Sequence, residues 1–194
     1  MADYLVLVNG LPGSGKTTLA NQLASAMDVP VICKDVLKEA MAAALPGIPT
    51  TAFGAVASEA MWDLAAATPG LVILESWWFK PRDLGYVQDG LRRCASPVTI
   101  EIWCDVPASL ARARYRNRRR AALHDDDRQL VVSWPRWAAE AEPLGVAAKI
   151  MVKTDRQADV ADLVGEISTA LGLPNTGTPS GVQDAHKANA ARGS

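Results

Sequence analysis

The segment Gly10-Leu11-Pro12-Gly13-Ser14-Gly15-Lys16-Thr17 spells G-x-x-x-x-G-K-[ST] without deviation. It lies between Tyr4-Leu5-Val6-Leu7-Val8, an apolar run of strand length, and Thr18-Leu19-Ala20-Asn21-Gln22-Leu23-Ala24, a helical pattern. A strand, a glycine-rich turn and a helix in that order direct successive backbone N–H groups and the positive end of the helix dipole at a phosphate chain. Glycine is needed where the backbone turns tightly and approaches phosphate. The pattern predicts that Gly10, Leu11, Pro12, Gly13, Ser14, Gly15, Lys16, Thr17 and Thr18 cradle a nucleoside triphosphate. Lys16 would reach the β- and γ-phosphates, and the Thr17 hydroxyl would ligate Mg²⁺.

Apolar runs then alternate with helical patterns, the βαβ signature of a parallel sheet covered on both faces. Strands are expected at 4–8, 29–33, 71–74, 98–104 and 148–152. Helices are expected at 16–26, 35–44, 52–67, 81–93, 107–120, 128–141 and 157–171. The fold class is therefore α/β: a three-layer P-loop fold with a five-stranded parallel sheet and an arginine-rich lid at about 112–128. Its 194 residues suit one domain, expected over 1–172, with a flexible Gly/Pro/Ser-rich tail over 173–194. A formal net charge of −1 points to neither nucleic acid nor an anionic membrane as partner. Cys33, Cys94 and Cys104 are too few and too irregularly spaced for a disulfide framework or metal site, which suits a reducing cytoplasm. No apolar run is long enough to span a membrane.

Four places, in this order, resemble one group of proteins: Asn9-Gly10 through Thr18, Lys34-Asp35-Val36-Leu37-Lys38-Glu39, the strand end Cys104-Asp105-Val106-Pro107 with its arginine helix, and Val152-Lys153-Thr154-Asp155. The chain from Tyr4 to about Leu171 is similar to the small P-loop kinases that include chloramphenicol phosphotransferase, the zeta-type toxins and the 5′-kinase domain of polynucleotide kinases. The resemblance implies transfer of the γ-phosphate of ATP or GTP, with Mg²⁺, to a hydroxyl group. Asp35 follows the second strand and should project from its carboxyl edge, where a carboxylate can take the acceptor's proton. It can also cap the helix that begins there. Lys38 stands where polynucleotide kinases carry an arginine for the substrate phosphate, but a lysine is a point charge and not a bidentate fork.

Glu75 ends the third apolar run, where it could orient a metal-bound water or bind the acceptor. Trp77 and Trp78 follow, and neighbouring side chains of an extended segment point opposite ways, so one is expected in the core and the other at the acceptor wall. Asp105, two residues before Pro107, is expected to cap the next helix. In Arg112-Ala113-Arg114-Tyr115-Arg116-Asn117-Arg118-Arg119-Arg120, Arg114 and Arg118 are four apart and share a helical face. The resemblance implies that such arginines close over the triphosphate; Arg116, half a turn away, is a candidate to stack on the base, and His124 in the lid loop is a candidate for phosphate or acceptor contact. The run is short and Asp125-Asp126-Asp127 follows it, so no nucleic-acid face is expected. Trp134 and Trp137 are expected in the core, and Thr154 beside the purine. The acceptor implied is a small organic molecule, an antibiotic being one version. A polynucleotide 5′-hydroxyl or sugar-nucleotide acceptor is the alternative within the class. A nucleotide-hydrolysing switch is the alternative outside it, although the base-reading motif Asn-Lys-x-Asp is absent. Oligomeric state is not legible.

Overall fold

A computed structural model of the chain describes residues 2–49, 52–117 and 126–173. Its strands are β1 (Ala2–Asn9), β2 (Val31–Cys33), β3 (Gly70–Glu75), β4 (Val98–Asp105) and β5 (Ala148–Lys153). Its helices are α1 (Lys16–Met27), α2 (Lys34–Ala44), α3 (Phe53–Ala67), α4 (Lys80–Arg93), α5 (Ala108–Asn117), α6 (Asp126–Val132), α7 (Trp134–Glu140) and α8 (Val160–Leu171). The strands form one sheet in the order β2-β3-β1-β4-β5, every neighbouring pair parallel. The chain runs to one side of β1 first and to the other side afterwards. That reversal opens a crevice at the carboxyl ends of the strands, where α/β sheets hold ligands.

Both faces of the sheet are covered, so β1 and β3 read as unbroken apolar runs. Val6, Val8, Ile100 and Ile102 pack with Leu19 and Leu23 of α1 and Leu163 and Ile167 of α8. Leu5, Leu7, Val72 and Leu74 on the other face pack with Met61 and Trp62 of α3 and Val87 of α4. A third apolar cluster sits past the strand ends, where Leu11 and Phe79 meet Tyr115 of α5, Leu130 of α6 and Trp134 and Trp137 of α7. This cluster supports the crevice.

Differences from the expected elements trace to single residues. β2 begins at Val31, because Pro30 has no N–H to give a ladder, although its carbonyl still accepts from Ile73 at 3.0 Å. The expected helix over 128–141 is two helices, α6 and α7, and the break falls where Pro135 opens α7. The helix expected from 157 starts at Val160, because the Asp159 carboxyl accepts from the N–H groups of Ala161 and Asp162. Asp105 does not cap a helix. It is the exposed last residue of β4, and α5 opens on the Pro107 carbonyl, which accepts from Leu110 and Ala111. The residues 118–120 and His124 of the expected lid, and the tail from 174, lie outside the described residues.

Candidate active site

β1 delivers the chain to the crevice at Asn9, and the loop turns on Gly10, Gly13 and Gly15, whose φ angles are 139°, 84° and 92°. All three lie in the region that favours glycine. Space is as strict as torsion. A Cβ on Gly13 would overlap the Ala111 carbonyl of α5, and one on Gly10 would stand 2.8 Å from the Cys104 carbonyl. The Ser14 N–H closes the loop onto the Leu11 carbonyl at 3.0 Å, and α1 begins at Lys16 with no side-chain cap. Its first N–H groups therefore have no side-chain acceptor, as in an anion cradle.

Lys16 is 7% exposed, and its Nζ donates to the Leu11 carbonyl at 3.0 Å, so its ammonium lies inside the loop. Opposite stands Glu75, the last residue of β3, 4% exposed and in register with Val8 of β1 and Cys33 of β2. Burial holds the Glu75 carboxyl above the usual range; the nearby Lys16 charge opposes that shift and the Asp35 charge adds to it. The Thr17 hydroxyl and the Cys33 thiol both hydrogen-bond this carboxyl. Asp35 is the second residue of α2, and Cys33 occupies the cap position, so Asp35 contributes a first-turn carboxylate and not a cap. Lys16, Thr17 and Asp35 all act on the Glu75 carboxyl, so groups from three separate segments of the chain share one neighbourhood. Lys38 lies half-buried on the first turns of α2 and bears electrostatically on Lys34.

A cavity of about 790 Å³ opens beside the loop, lined by Gly13, Gly15 and Thr18 on one side and by Leu110, Arg114 and Asn117 of α5 on the other. The segment after β5 closes it with Thr154, Arg156 and Gln157. The Arg114 guanidinium donates to the Thr154 carbonyl at 2.8 Å and to the Asp155 carbonyl at 3.2 Å. It therefore fastens α5 to the far wall of the cavity. Arg116 is exposed and does not line the cavity; its neighbour Asn117 does. Arg118 and His124, expected at the phosphates and the acceptor, lie outside the described residues.

The two tryptophans after Glu75 divide. Trp78 is 3% exposed and packs with Trp62 at 6.4 Å in the core, so it does not wall an acceptor as expected. Trp77 is partly exposed beyond Glu75, backed by Phe79, Trp103 and Trp137 at 5.8, 6.5 and 5.9 Å. Trp134 and Trp137 are 5% and 8% exposed, core residues as expected.

A family model described as an AAA domain matches residues 5–134. The chain belongs to this family. No curated protein matches the sequence. Among solved structures, a presumed kinase from Chloroflexus aurantiacus is 24% identical, with a TM-score of 0.69 over 87% of this chain and 96% of that one. A gluconokinase from Sinorhizobium meliloti is 18% identical, with a TM-score of 0.54 over 88% and 92% of the two chains. The tunicamycin resistance protein of Deinococcus radiodurans is 15% identical, with a TM-score of 0.53 over 89% and 97%. The family and the strand order together give the chain the P-loop kinase fold.

Sequence reasoning missed Asn117, Arg156 and Gln157 at the cavity, where polar residues on a helix end and a loop carry no local signal. It also missed Glu101, which is buried in β4. No helix among the described residues is long and apolar enough to cross a membrane.

Proposed function

We propose that the protein is a small-molecule kinase that moves the γ-phosphate of ATP onto a hydroxyl group of an organic acceptor. The convergence of Lys16, Thr17, Asp35 and Glu75 at the mouth of the glycine loop carries this reading. The cavity bounded by Thr18, Arg114 and Thr154 suits the nucleoside. Thr17 and Glu75 are oxygen donors side by side, the set that Mg²⁺ takes when phosphates and water complete its shell. Bound there, Mg²⁺ would neutralise charge on the phosphate oxygens.

The chain's own groups do the rest. The loop amides and the Lys16 ammonium hold the phosphates in line, which is most of what phosphoryl transfer asks of a protein. Asp35 accepts the hydroxyl proton as the new P–O bond forms and the bond from the γ-phosphorus to the β–γ bridging oxygen breaks, with ADP as the leaving group. Glu75 keeps Thr17 oriented. Arg114 holds α5 against the loop after β5, and Trp77 gives the acceptor a partly exposed aromatic wall. Lys38, one turn along α2 from Asp35, is the proposed charge for an acceptor's polar groups. A gluconokinase among the similar folds fits a compact hydroxylated acceptor. The narrower form of the proposal takes an antibiotic, resistance being the named role of the Deinococcus radiodurans protein.

Asp35→Asn tests the assignment. Phosphate transfer should fall by at least about 100-fold while nucleotide affinity stays within roughly threefold of wild type. Lost nucleotide binding would instead place Asp35 among the groups that hold the metal.

A further inference from the structure

Glu101 stands mid-strand in β4 at 0% exposure, a position where its neighbours Ile100 and Ile102 are apolar. No ion pair with it occurs among the described residues. Burying a carboxyl group costs several kcal/mol unless its oxygens are hydrogen-bonded, and here both accept. Its Oε1 accepts from Asn9 Nδ2 and from the Leu144 N–H, both at 3.0 Å, and its Oε2 accepts from the Gly145 N–H at 3.3 Å. Asn9, also at 0% exposure, extends the network. Its Oδ1 accepts from the Gly10 N–H at 2.8 Å and the Trp78 N–H at 3.1 Å, and its Nδ2 also donates to the Trp78 carbonyl at 3.2 Å.

Three segments meet at this pair. Gly10 opens the phosphate loop, Trp78 follows the Glu75–Trp77 acceptor wall, and Leu144-Gly145 belong to the segment returning from α6 and α7 to β5. A salt bridge from Lys80, at the start of α4, to Glu142 at 3.0 Å ties the same return segment to the acceptor side. Apolar packing alone would hold these parts together without fixing their mutual register. A directional hydrogen-bonded junction fixes it.

We propose that Glu101 and Asn9 are positioning residues that couple the phosphate loop to the acceptor wall and to the lid's return segment, so that nucleotide in the loop orders both. The proposal rests on the kinase reading only in needing a nucleotide at the loop. Glu101→Gln divides the junction. The amide oxygen can replace Oε1 toward Asn9 and Leu144, whereas the amide NH₂ would face the Gly145 N–H donor to donor.

The test is hydrogen–deuterium exchange of the full chain with and without Mg²⁺ and a non-hydrolysable ATP analogue. In wild type, nucleotide should slow exchange about threefold or more at 10–17, and also at 76–79 and 142–146. In Glu101→Gln, protection at 10–17 and 76–79 should persist while the response at 142–146 falls below about 1.5-fold. A purely structural role for Glu101 would lower the melting temperature and leave the nucleotide-dependent difference intact, which would overturn the proposal. The wild-type experiment is decisive by itself should the variant not fold: protection confined to 10–17 overturns the coupling and spares the nucleotide reading. No protection at 10–17 would overturn both.

Discussion

Lys16 carries the one ammonium inside the loop that the described residues show, and its replacement tests the phosphate site at a single side chain. Lys16→Ala should cut turnover at least about 100-fold with every acceptor, the usual effect of removing one preorganised charge from a transfer site. Retained turnover would contradict the assignment. Gly13→Ala tests the backbone. The added Cβ meets the Ala111 carbonyl of α5 at a φ of 84°, so strain and overlap act together. A loss of about 1–3 kcal/mol is expected, with weakened nucleotide binding, measurable by denaturant unfolding and calorimetric titration. At this scale the loop was fully legible, because its residue types follow from torsion and close approach. Asp35 and Glu75 were legible as candidates because strand ends point into the crevice. Their meeting with Thr17 and Cys33 was not, since it depends on the β1–β3–β2 register. Glu101 was illegible for the opposite reason: a charged residue in an alternating strand resembles a surface position, and only the return segment around Gly145 shows why it is buried.

Arg114 acts through the element it stands on. Arg114→Ala should free α5 from the Thr154 and Asp155 carbonyls and weaken nucleotide binding about tenfold, equivalent to about 1.4 kcal/mol in a titration. Unchanged affinity would show that α5 is held by the aromatic cluster alone. In α4, Gly90→Ala sets two effects against each other. A mid-helix alanine gains up to about 1 kcal/mol over glycine, but its Cβ would overlap the ring of the fully buried Trp62. Overpacking a rigid indole costs about 1–3 kcal/mol, so the variant should be the less stable, with a lower melting temperature. The strands were readable to within one or two residues because each carries an apolar run, unbroken in β1 and β3 where both faces are buried. The helices were less so. Pro135 splits what periodicity joined, and Asp159 delays α8 by capping it, so the local signals were present but outweighed by the longer pattern.

Across the whole molecule, the crevice is flanked by thiols that the fold keeps unreactive. Burial, with Glu75 and Asp35 nearby, pushes Cys33 up to about 12, and burial does the same to Cys104. Cys94 is raised by burial as well, and all three are free and buried. Because the folded values lie above those of the unfolded chain, about 8.5, these thiols stabilise the fold fully below that pH and lose the contribution as pH rises toward 12. Native protein should therefore resist a disulfide thiol probe at pH 8, while unfolded protein reacts at once. Fast native labelling would contradict the burial. The fold class was readable because strand and helix patterns alternate along the chain, and the glycine loop because its residues are contiguous. The cavity wall formed by Asn117, Arg156 and Gln157 comes together only in three dimensions.

The proposed activity is phosphate transfer to a small hydroxylated molecule. Mass spectrometry tests it most directly, with a panel of sugars, sugar acids, nucleosides, sugar nucleotides, antibiotics and a 5′-hydroxyl oligonucleotide incubated with protein, Mg²⁺ and ATP. One small molecule should become heavier by a single phosphate with wild type and stay unchanged with Asp35→Asn. Phosphate appearing only on the oligonucleotide, or slow ATP hydrolysis equal in wild type and Asp35→Asn with no acceptor modified, would contradict it.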